Sequence, residues 1–367
     1  MVPRRKVDRH MMLFKLGFVL FCAAFTHHVY KYILLMQYEK YDVIYTHYPG
    51  PCKQLLGKDG GGSEDITTLS DGLTFISSGF FPSSKGRILT FNLSDPDETL
   101  TELVIEHTVP KFHPVGISAW EEQSSNKITL FVVNTGFDGG VTETIEVFEF
   151  KRGISKLWHI KTISSEGRLM NDILAISNDS FYATQYLEYY NNKYLSPLEI
   201  YGMMKLGKVW FYDGHEFKQV LSDLGYPNGI NASPDLSTIY IAEFWSKQIN
   251  SFKRQKDNSL HLMQTLFIDT APDNIEVDPV TGDLWIGCHA RTHLLHKYEE
   301  VNGQSWSPSQ VLKIKTKNGN LTSDIKEVFL DNGEFCSGSA TASYYKGRLL
   351  IGTVGTELIL CDVLYNP

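Results

Sequence analysis

The chain has 367 residues, 42% of them apolar, 21% charged and 13% aromatic, which supplies a large buried core and excludes a disordered polymer. Its formal net charge of −8, from 34 Lys and Arg against 42 Asp and Glu, offers no general attraction for a phosphate backbone and excludes nucleic acid as an expected partner. With 29 glycines, 14 prolines, 19 tyrosines and 21 phenylalanines, the composition favours strands and turns over long helices or a coiled coil.

Residues 1–10 carry Arg4, Arg5, Lys6 and Arg9 against Asp8, and an apolar stretch follows over residues 11–36, interrupted by Lys15 and Lys31. A basic prefix before an apolar run is the layout of a targeting segment. Its uninterrupted part, residues 16–25, has the length of a cleavable signal, whereas continuing to Met36 passes the roughly 20 residues that a membrane span needs. Cys22-Ala23-Ala24 matches the small-x-small cleavage rule poorly, which favours retention. The expected organisation is therefore a cytoplasmic tail over residues 1–10, a signal-anchor helix over 11–36 and a luminal or extracellular remainder over 37–367. That places the protein in the membrane of the endoplasmic reticulum or at the cell surface, or outside the cell if the helix is cleaved.

Such a compartment permits disulfides and N-glycans. Sequons stand at Asn92, Asn178, Asn231 and Asn320, with Asn92, Asn178 and Asn320 taken as glycan acceptors. Of the five cysteines, Cys22 lies in the apolar segment, and Cys52 and Cys361 bracket nearly all the rest, so a bond between those two would tie the ends together. Cys288 reads as a buried strand residue, and neither it nor Cys336 falls in a zinc-binding spacing.

From residue 64 onward one pattern recurs: a polar or glycine residue or two, an isoleucine, then a strand, a turn and a strand. It occurs at Glu64-Asp65-Ile66, Val115-Gly116-Ile117, Asn171-Asp172-Ile173, Asn228-Gly229-Ile230 and Asp273-Asn274-Ile275, and in weaker form at Gly338-Ser339-Ala340. The separations match a four-stranded propeller blade, and no helical periodicity intervenes to suggest a βαβ alternation. The expected fold is all-β, a six-bladed β-propeller behind an N-terminal membrane-anchor helix. Residues 186–205, rich in Tyr and Leu, are expected to hold one helix at the rim, either as an excursion of the chain or facing a membrane or partner.

In a propeller the residues just ahead of each repeated isoleucine border the central channel. Glu64, Asn171, Asn228, Asp273 and Asn274 form one set of oxygen donors there, and Asp65, Asp172 and a backbone carbonyl near Ile117 form a second. Hard oxygen donors in such numbers suit calcium. A single Asn or Asp at such a place is ordinarily a turn residue; recurrence at equivalent positions argues against that.

These residues resemble the paraoxonase/arylesterase family of calcium-dependent six-bladed propellers. The resemblance spans residues 50–361 and is carried by Gly62-Ser63-Glu64-Asp65, Gly72-Leu73-Thr74-Phe75-Ile76, Asn171-Asp172-Ile173, Asn228-Gly229-Ile230-Asn231, Val277-Asp278-Pro279-Val280-Thr281-Gly282-Asp283 and Gly287-Cys288-His289. It implies two calcium ions: a catalytic one on Glu64, Asn171, Asn228, Asp273 and Asn274, and a structural one on Asp65, Asp172 and the carbonyl of Ile117. It also implies a closing disulfide between Cys52 and Cys361 and an uncleaved N-terminal helix.

The resemblance further implies a histidine dyad that activates water above the catalytic calcium, and here the sequence departs from the pattern. The dyad positions are occupied by Val115 and Thr135, neither of which accepts a proton near neutral pH. His113, two residues before Val115 and on the same face of a strand by the two-residue period, is a weak substitute; His289 is weaker still and reads as a wall residue. Two functions follow. The favoured one is a membrane-anchored, calcium-bound accessory or chaperone subunit for membrane proteins, similar to nematode relatives that assist degenerin-type channels. The alternative is a calcium-dependent arylesterase or lactonase acting on small esters or lactones.

Overall fold

A computed structural model describes residues 9–37, 43–57, 60–81, 84–106, 109–122, 127–135, 143–300 and 305–365. The apolar N-terminal segment forms helix α1 (Arg9–Met36), beginning two residues ahead of the expected start. Its stretch Met11–Met36 is long and apolar enough to cross a membrane, with mean hydropathy 1.5. The chain then makes strand β1 (Cys52–Leu56).

Six antiparallel blades follow. Blade one holds β2 (Ile66–Thr68), β3 (Leu73–Ser78), β4 (Arg87–Asn92) and β5 (Thr101–Glu102), and blade two holds β6 (Val104–Glu106), β7 (Pro114–Glu121), β8 (Lys127–Asn134), β9 (Thr144–Lys151) and β10 (Lys156–Ser164). In blade two, β6 is an added edge strand that runs parallel to β10. Blade three is β11 (Leu169–Ala175), β12 (Phe181–Leu187), β13 (Gly207–Tyr212) and β14 (Phe217–Leu224), with helix α2 (Leu195–Gly202) between its second and third strands. Blade four is β15 (Pro227–Ala232), β16 (Thr238–Glu243), β17 (Gln248–Arg254) and β18 (Leu260–Phe267). Blade five is β19 (Ala271–Val277), β20 (Leu284–His289), β21 (Ser309–Lys317) and β22 (Asn320–Asp331), interrupted after β20 by helix α3 (Thr292–Glu300). Blade six joins β23 (Ser339–Tyr345), β24 (Arg348–Thr353) and β25 (Leu358–Asp362) to β1 from the other end of the chain. The expected rim helix is thus α2, an excursion within blade three, while α3 and β6 were not anticipated.

The repeat seen in the sequence is the inner strand of each blade. Ile66, Ile117, Ile173, Ile230, Ile275 and Ala340 lie on β2, β7, β11, β15, β19 and β23, each at one end of its sheet, and all are at most 2% exposed. A sheet with two apolar faces needs a neighbour on each side, and closure into a ring provides one to every blade. The core is accordingly divided into wedges. Val133 and Val147 of blade two pack with Ile173 and Phe181 of blade three, and Ile66 and Phe91 of blade one pack with Leu350 and Leu360 of blade six. Cys288 and Cys336 are fully buried in such wedges, outside any disulfide.

The ring is closed twice over. β1 pairs antiparallel with β25, and Cys52 opposite Cys361 forms a disulfide, the clasp that the resemblance implied.

A further cluster lies across the ring instead of between blades. Leu35 of α1, 5% exposed, packs with Phe81, Phe244, Ala271, Leu295, Ala340 and Val354. Polar contacts hold the helix end in place: the Met36 carbonyl meets His293 Nδ1 at 2.7 Å, and Gln37 Oε1 accepts from Thr292 N–H at 3.1 Å and Thr292 Oγ1–H at 3.2 Å. Leu35→Ala is therefore expected to destabilise the fold by about 2–4 kcal/mol in thermal unfolding in detergent, whereas Ile33→Ala, at a half-exposed position, costs less than about 0.5 kcal/mol. Equal losses would mean that the helix end is not part of the fold.

Candidate active site

Four of the six inner strands carry an irregularity in their pairing just ahead of the repeated residue. Register shifts separate Pro114 from Ile117, Met170 from Ile173, Pro227 from Ile230 and Pro272 from Ile275. A bulge re-aims side chains that strict alternation would send to opposite faces of the sheet. Gly229 shows why the bulge residue is small in blade four: a Cβ there would lie 2.6 Å from Asn274 Cα, so the inner strands of blades four and five meet backbone to backbone.

The result is a cavity of about 490 Å³ whose lining includes Glu64, Asn171, Asn228 and Asp273. Asn274 stands beside them, its Nδ2–H donating to the Glu64 carbonyl at 3.0 Å, with Glu64 Oε1 3.5 Å away. The five expected donors are thus drawn from four different blades. Asn171 Oδ1, Asn228 Oδ1, Asp273 Oδ1 and Asn274 Oδ1 are all buried and have no hydrogen-bond partner. A buried acceptor without a donor costs about 1–3 kcal/mol, and four of them in one set is not a stable arrangement for the oxygens alone. Among the described residues no three His, Cys, Asp or Glu side chains gather as a metal cluster. The set here is of another kind, two carboxylates and three amide oxygens, and such hard donors fit a calcium ion.

Asp65 and Asp172 point elsewhere, into a second cavity of about 180 Å³ that Ile117 also lines. Asp65 accepts from the Ile66 N–H and the Ile117 N–H, both at 2.8 Å, and Asp172 accepts from the Ile173 N–H and the Ile230 N–H, both at 2.7 Å. Each carboxylate therefore joins its own inner strand to that of the next blade. Ile117 meets this set through its N–H. Burial pushes the Asp65 carboxyl up to about 7, and burial together with the Asp65 charge pushes Asp172 well above the usual carboxylate range. Two carboxyls held up in this way are relieved by a nearby cation.

The candidate bases are sorted differently from the sequence expectation. Val115 and Thr135 line the large cavity, but the Thr135 hydroxyl donates to the His113 carbonyl at 3.2 Å. His113 is not among the lining residues; its Nδ1 meets the Gly79 carbonyl at 3.2 Å. His289, expected to be only a wall, does line the cavity. It is 1% exposed, its Nε2 lies 2.7 Å from Asp273 Oδ2, and its Nδ1 is buried without a partner. The remaining lining is largely apolar and aromatic, with Phe80, Phe81, Tyr186, Tyr226, Phe244 and Trp245 from the propeller. Tyr32, Leu35 and Met36 of α1, Ile200 and Tyr201 of α2, and Thr292, Leu295 and His296 of α3 also line it, so the N-terminal helix is part of the wall and a second imidazole reaches the cavity.

Glu143 supports the strand that carries Asn171. Burial pushes its carboxyl up to about 8, although it accepts the Met170 N–H at 2.8 Å. From the ordinary 4.5 up to about 8 the unfolded chain sheds a proton that the folded chain keeps, so stability falls as pH rises across that window. Glu143→Gln, which retains an oxygen acceptor for Met170, is expected to raise Tm at about pH 8 and to leave it nearly unchanged at about pH 5. Equal shifts at both would remove the carboxyl as the cause.

Residues 46–363 match the arylesterase family model. The chain is 35% identical to human serum paraoxonase/arylesterase 1 over 314 residues, 82% of this chain and 86% of that protein. It is 34% identical to human serum paraoxonase/arylesterase 2 over 316 residues, with the same coverage. Among solved structures, luciferin-regenerating enzyme superposes with TM-score 0.53 at 12% identity, covering 86% of this chain and 96% of that one. The periplasmic gluconolactonase of Pseudomonas aeruginosa superposes with TM-score 0.50 at 11% identity, covering 85% and 100%. Closed ring, clasped ends and sequence likeness along the whole propeller agree, and the chain belongs to the arylesterase family.

Proposed function

We propose that the protein is a calcium-dependent hydrolase of carboxylic esters or lactones. The observation that carries this is the group of four buried, partnerless oxygens on Asn171, Asn228, Asp273 and Asn274 beneath a largely apolar cavity. A calcium ion on that set would polarise a substrate carbonyl and stabilise the negative charge that develops on its oxygen. The aromatic walls take the acyl or lactone chain and exclude bulk water. His289 Nε2 lies 2.7 Å from Asp273 Oδ2, and with the ring proton on Nε2 donated to that carboxylate, the buried and partnerless Nδ1 would be the acceptor. In that tautomer His289 takes the proton from an attacking water, and Asp273 stabilises the imidazolium that forms. Val115 and Thr135, where the family resemblance implies a histidine dyad, contribute shape and no proton transfer.

Those same two residues favour a second reading, an accessory or chaperone subunit for a membrane protein, in which calcium serves stability alone. Both readings place α1 as a retained single-pass anchor with the propeller in the lumen or outside the cell. Asn178 and Asn320 are exposed, and Asn92 is half-buried, so all three are offered as glycan acceptors. Asn231 is not, because its Nδ2 donates to the Ile275 carbonyl at 2.8 Å and to Glu276 Oε1 at 2.9 Å. Endoglycosidase treatment is expected to increase gel mobility, with smaller steps after Asn178→Gln and Asn320→Gln; unchanged mobility would argue against a luminal propeller.

The deciding assay uses the full chain purified in detergent, with phenyl acetate and a medium-chain lactone as substrates, in calcium and in EGTA. Turnover that appears only with calcium supports the hydrolase. A calcium-dependent rise in Tm without turnover of either substrate retires it in favour of the accessory role.

A further inference from the structure

A third cavity, of about 450 Å³, lies beside the hydrolytic one, between the end of α1, the segment that follows α2, and blade four. Leu35 and Trp245 line both cavities, so those two side chains form a shared wall. The charges on either side of it differ in sign. Glu64 and Asp273 face the hydrolytic cavity, and no lysine or arginine is among its described lining residues. The neighbouring cavity is lined by Lys31 of α1, Lys205 and Lys247, against Asp269 in the lining and Glu243 behind Lys205, its Oε2 3.8 Å from Nζ. One positive charge is thus in surplus among these residues. Lys247, 5% exposed, donates to the Leu34 carbonyl, which fixes its ammonium in the wall, whereas Lys31 and Lys205 are exposed.

The proposed reaction changes the charge of what it acts on. Hydrolysis joins the oxygen of water to the acyl carbon and breaks the bond from that carbon to the alkoxy oxygen. The alkoxy oxygen takes up one proton of the water, and the other is lost from the carboxylic acid at neutral pH. A neutral ester or lactone therefore becomes an anion with an apolar body. In the hydrolytic cavity Glu64 and Asp273 already balance the two charges of a calcium ion, so the new carboxylate meets no uncompensated cation there. Across the Leu35 and Trp245 wall it meets ammonium groups beside an apolar surface that includes the 61% exposed Phe267.

We infer that this cavity receives the carboxylate product of the hydrolytic site, with the carboxylate on Lys31, Lys205 and Lys247 and the apolar body against Leu35, Trp245 and Phe267. The inference rests on the hydrolase reading and adds product clearance to it. A neutral substrate gains little from the three ammonium groups and the anion gains a charge-assisted pairing, so the cavity separates product from substrate by charge.

The test uses the full chain purified in detergent, with hexanoate and its neutral analogue hexanamide as probes, in calcium and in EGTA. Ligand-observed NMR titrations compare the wild type with Lys31→Gln/Lys205→Gln, whose folding is checked by its Tm. The wild type is expected to bind hexanoate at least about tenfold more tightly than hexanamide in both media, and the double variant to lose that preference. Hexanoate is also expected to inhibit phenyl acetate turnover by the wild type, and inhibition of the variant to need at least about tenfold more of it. A preference kept by the variant, or lost by the wild type in EGTA, puts the carboxylate on the oxygen set of the hydrolytic cavity and overturns this site while the hydrolase stands. Equal binding of the two probes by the wild type overturns it as well. Lysine-dependent hexanoate binding by a protein that turns over neither phenyl acetate nor a lactone retires the hydrolase and the product role with it.

Discussion

Asp273→Ala is expected to lower calcium-dependent kcat/KM for phenyl acetate and lactone by about a thousandfold or more. The size follows from two tasks carried by one side chain. Asp273 Oδ1 belongs to the partnerless oxygen set, and Oδ2, 2.7 Å from His289 Nε2, would in the proposed mechanism orient that ring by accepting its Nε2–H. Alanine removes a charged donor and the orienting carboxylate at once. His289→Gln separates the two tasks: it leaves all five oxygen donors in place, so the rise in Tm on adding calcium is expected to persist while turnover falls by about 10²–10⁴-fold. Wild-type turnover in Asp273→Ala would defeat the hydrolytic site altogether. Wild-type turnover in His289→Gln alone would dismiss the histidine as base and keep the oxygen set.

The second large effect is on stability. Replacing Cys52 and Cys361 together by serine is expected to cost about 3–5 kcal/mol and to lower Tm by about 5–8 °C. The bond closes a loop with a sequence separation of 309 residues, near the long end of the range in which loop length adds to the constraint on the unfolded chain. Native pairing of β1 with β25 survives the substitution, so the ring still forms but opens more easily. Reductant should lower the Tm of the wild type by a similar amount and leave the double variant unmoved. A wild type indifferent to reductant would mean that the backbone ladder alone closes the ring.

How far the sequence could be read depends on whether a feature is local. The six inner strands were legible because an apolar anchor, a turn and a following strand all fall within one short segment, and Ile66 through Ala340 each mark one. Glu64, Asn171, Asn228, Asp273 and Asn274 were legible as a set for the same reason, since each stands directly ahead of an anchor. What turns Asn171, Asn228, Asp273 and Asn274 toward one point is a bulge, and a bulge is a property of two paired strands that neither strand's residues announce. The His113 argument failed on such a boundary. Strand alternation was applied from Val115 back to His113, but β7 begins at Pro114, so His113 lies outside the strand and its ring turns to the Gly79 carbonyl. The contact of His289 with Asp273 was not legible because its partner lies 16 residues away on the adjacent strand, where β19 and β20 place Ala271 opposite His289. Helix α3 is short, and its two leucines give no periodicity long enough to distinguish it from a loop.

Strand β1 sits in blade six although it is made before any other strand of the propeller. At about 5–20 residues per second, the 309 residues between Cys52 and Cys361 take about 15–60 s to synthesise. For all that time the first strand has no partner and Cys52 is a thiol without its mate, in a compartment expected to be oxidising. Correct maturation is thus a matter of waiting: the nascent chain must be kept from pairing early, with Cys288, Cys336 or another protein, until its last blade arrives.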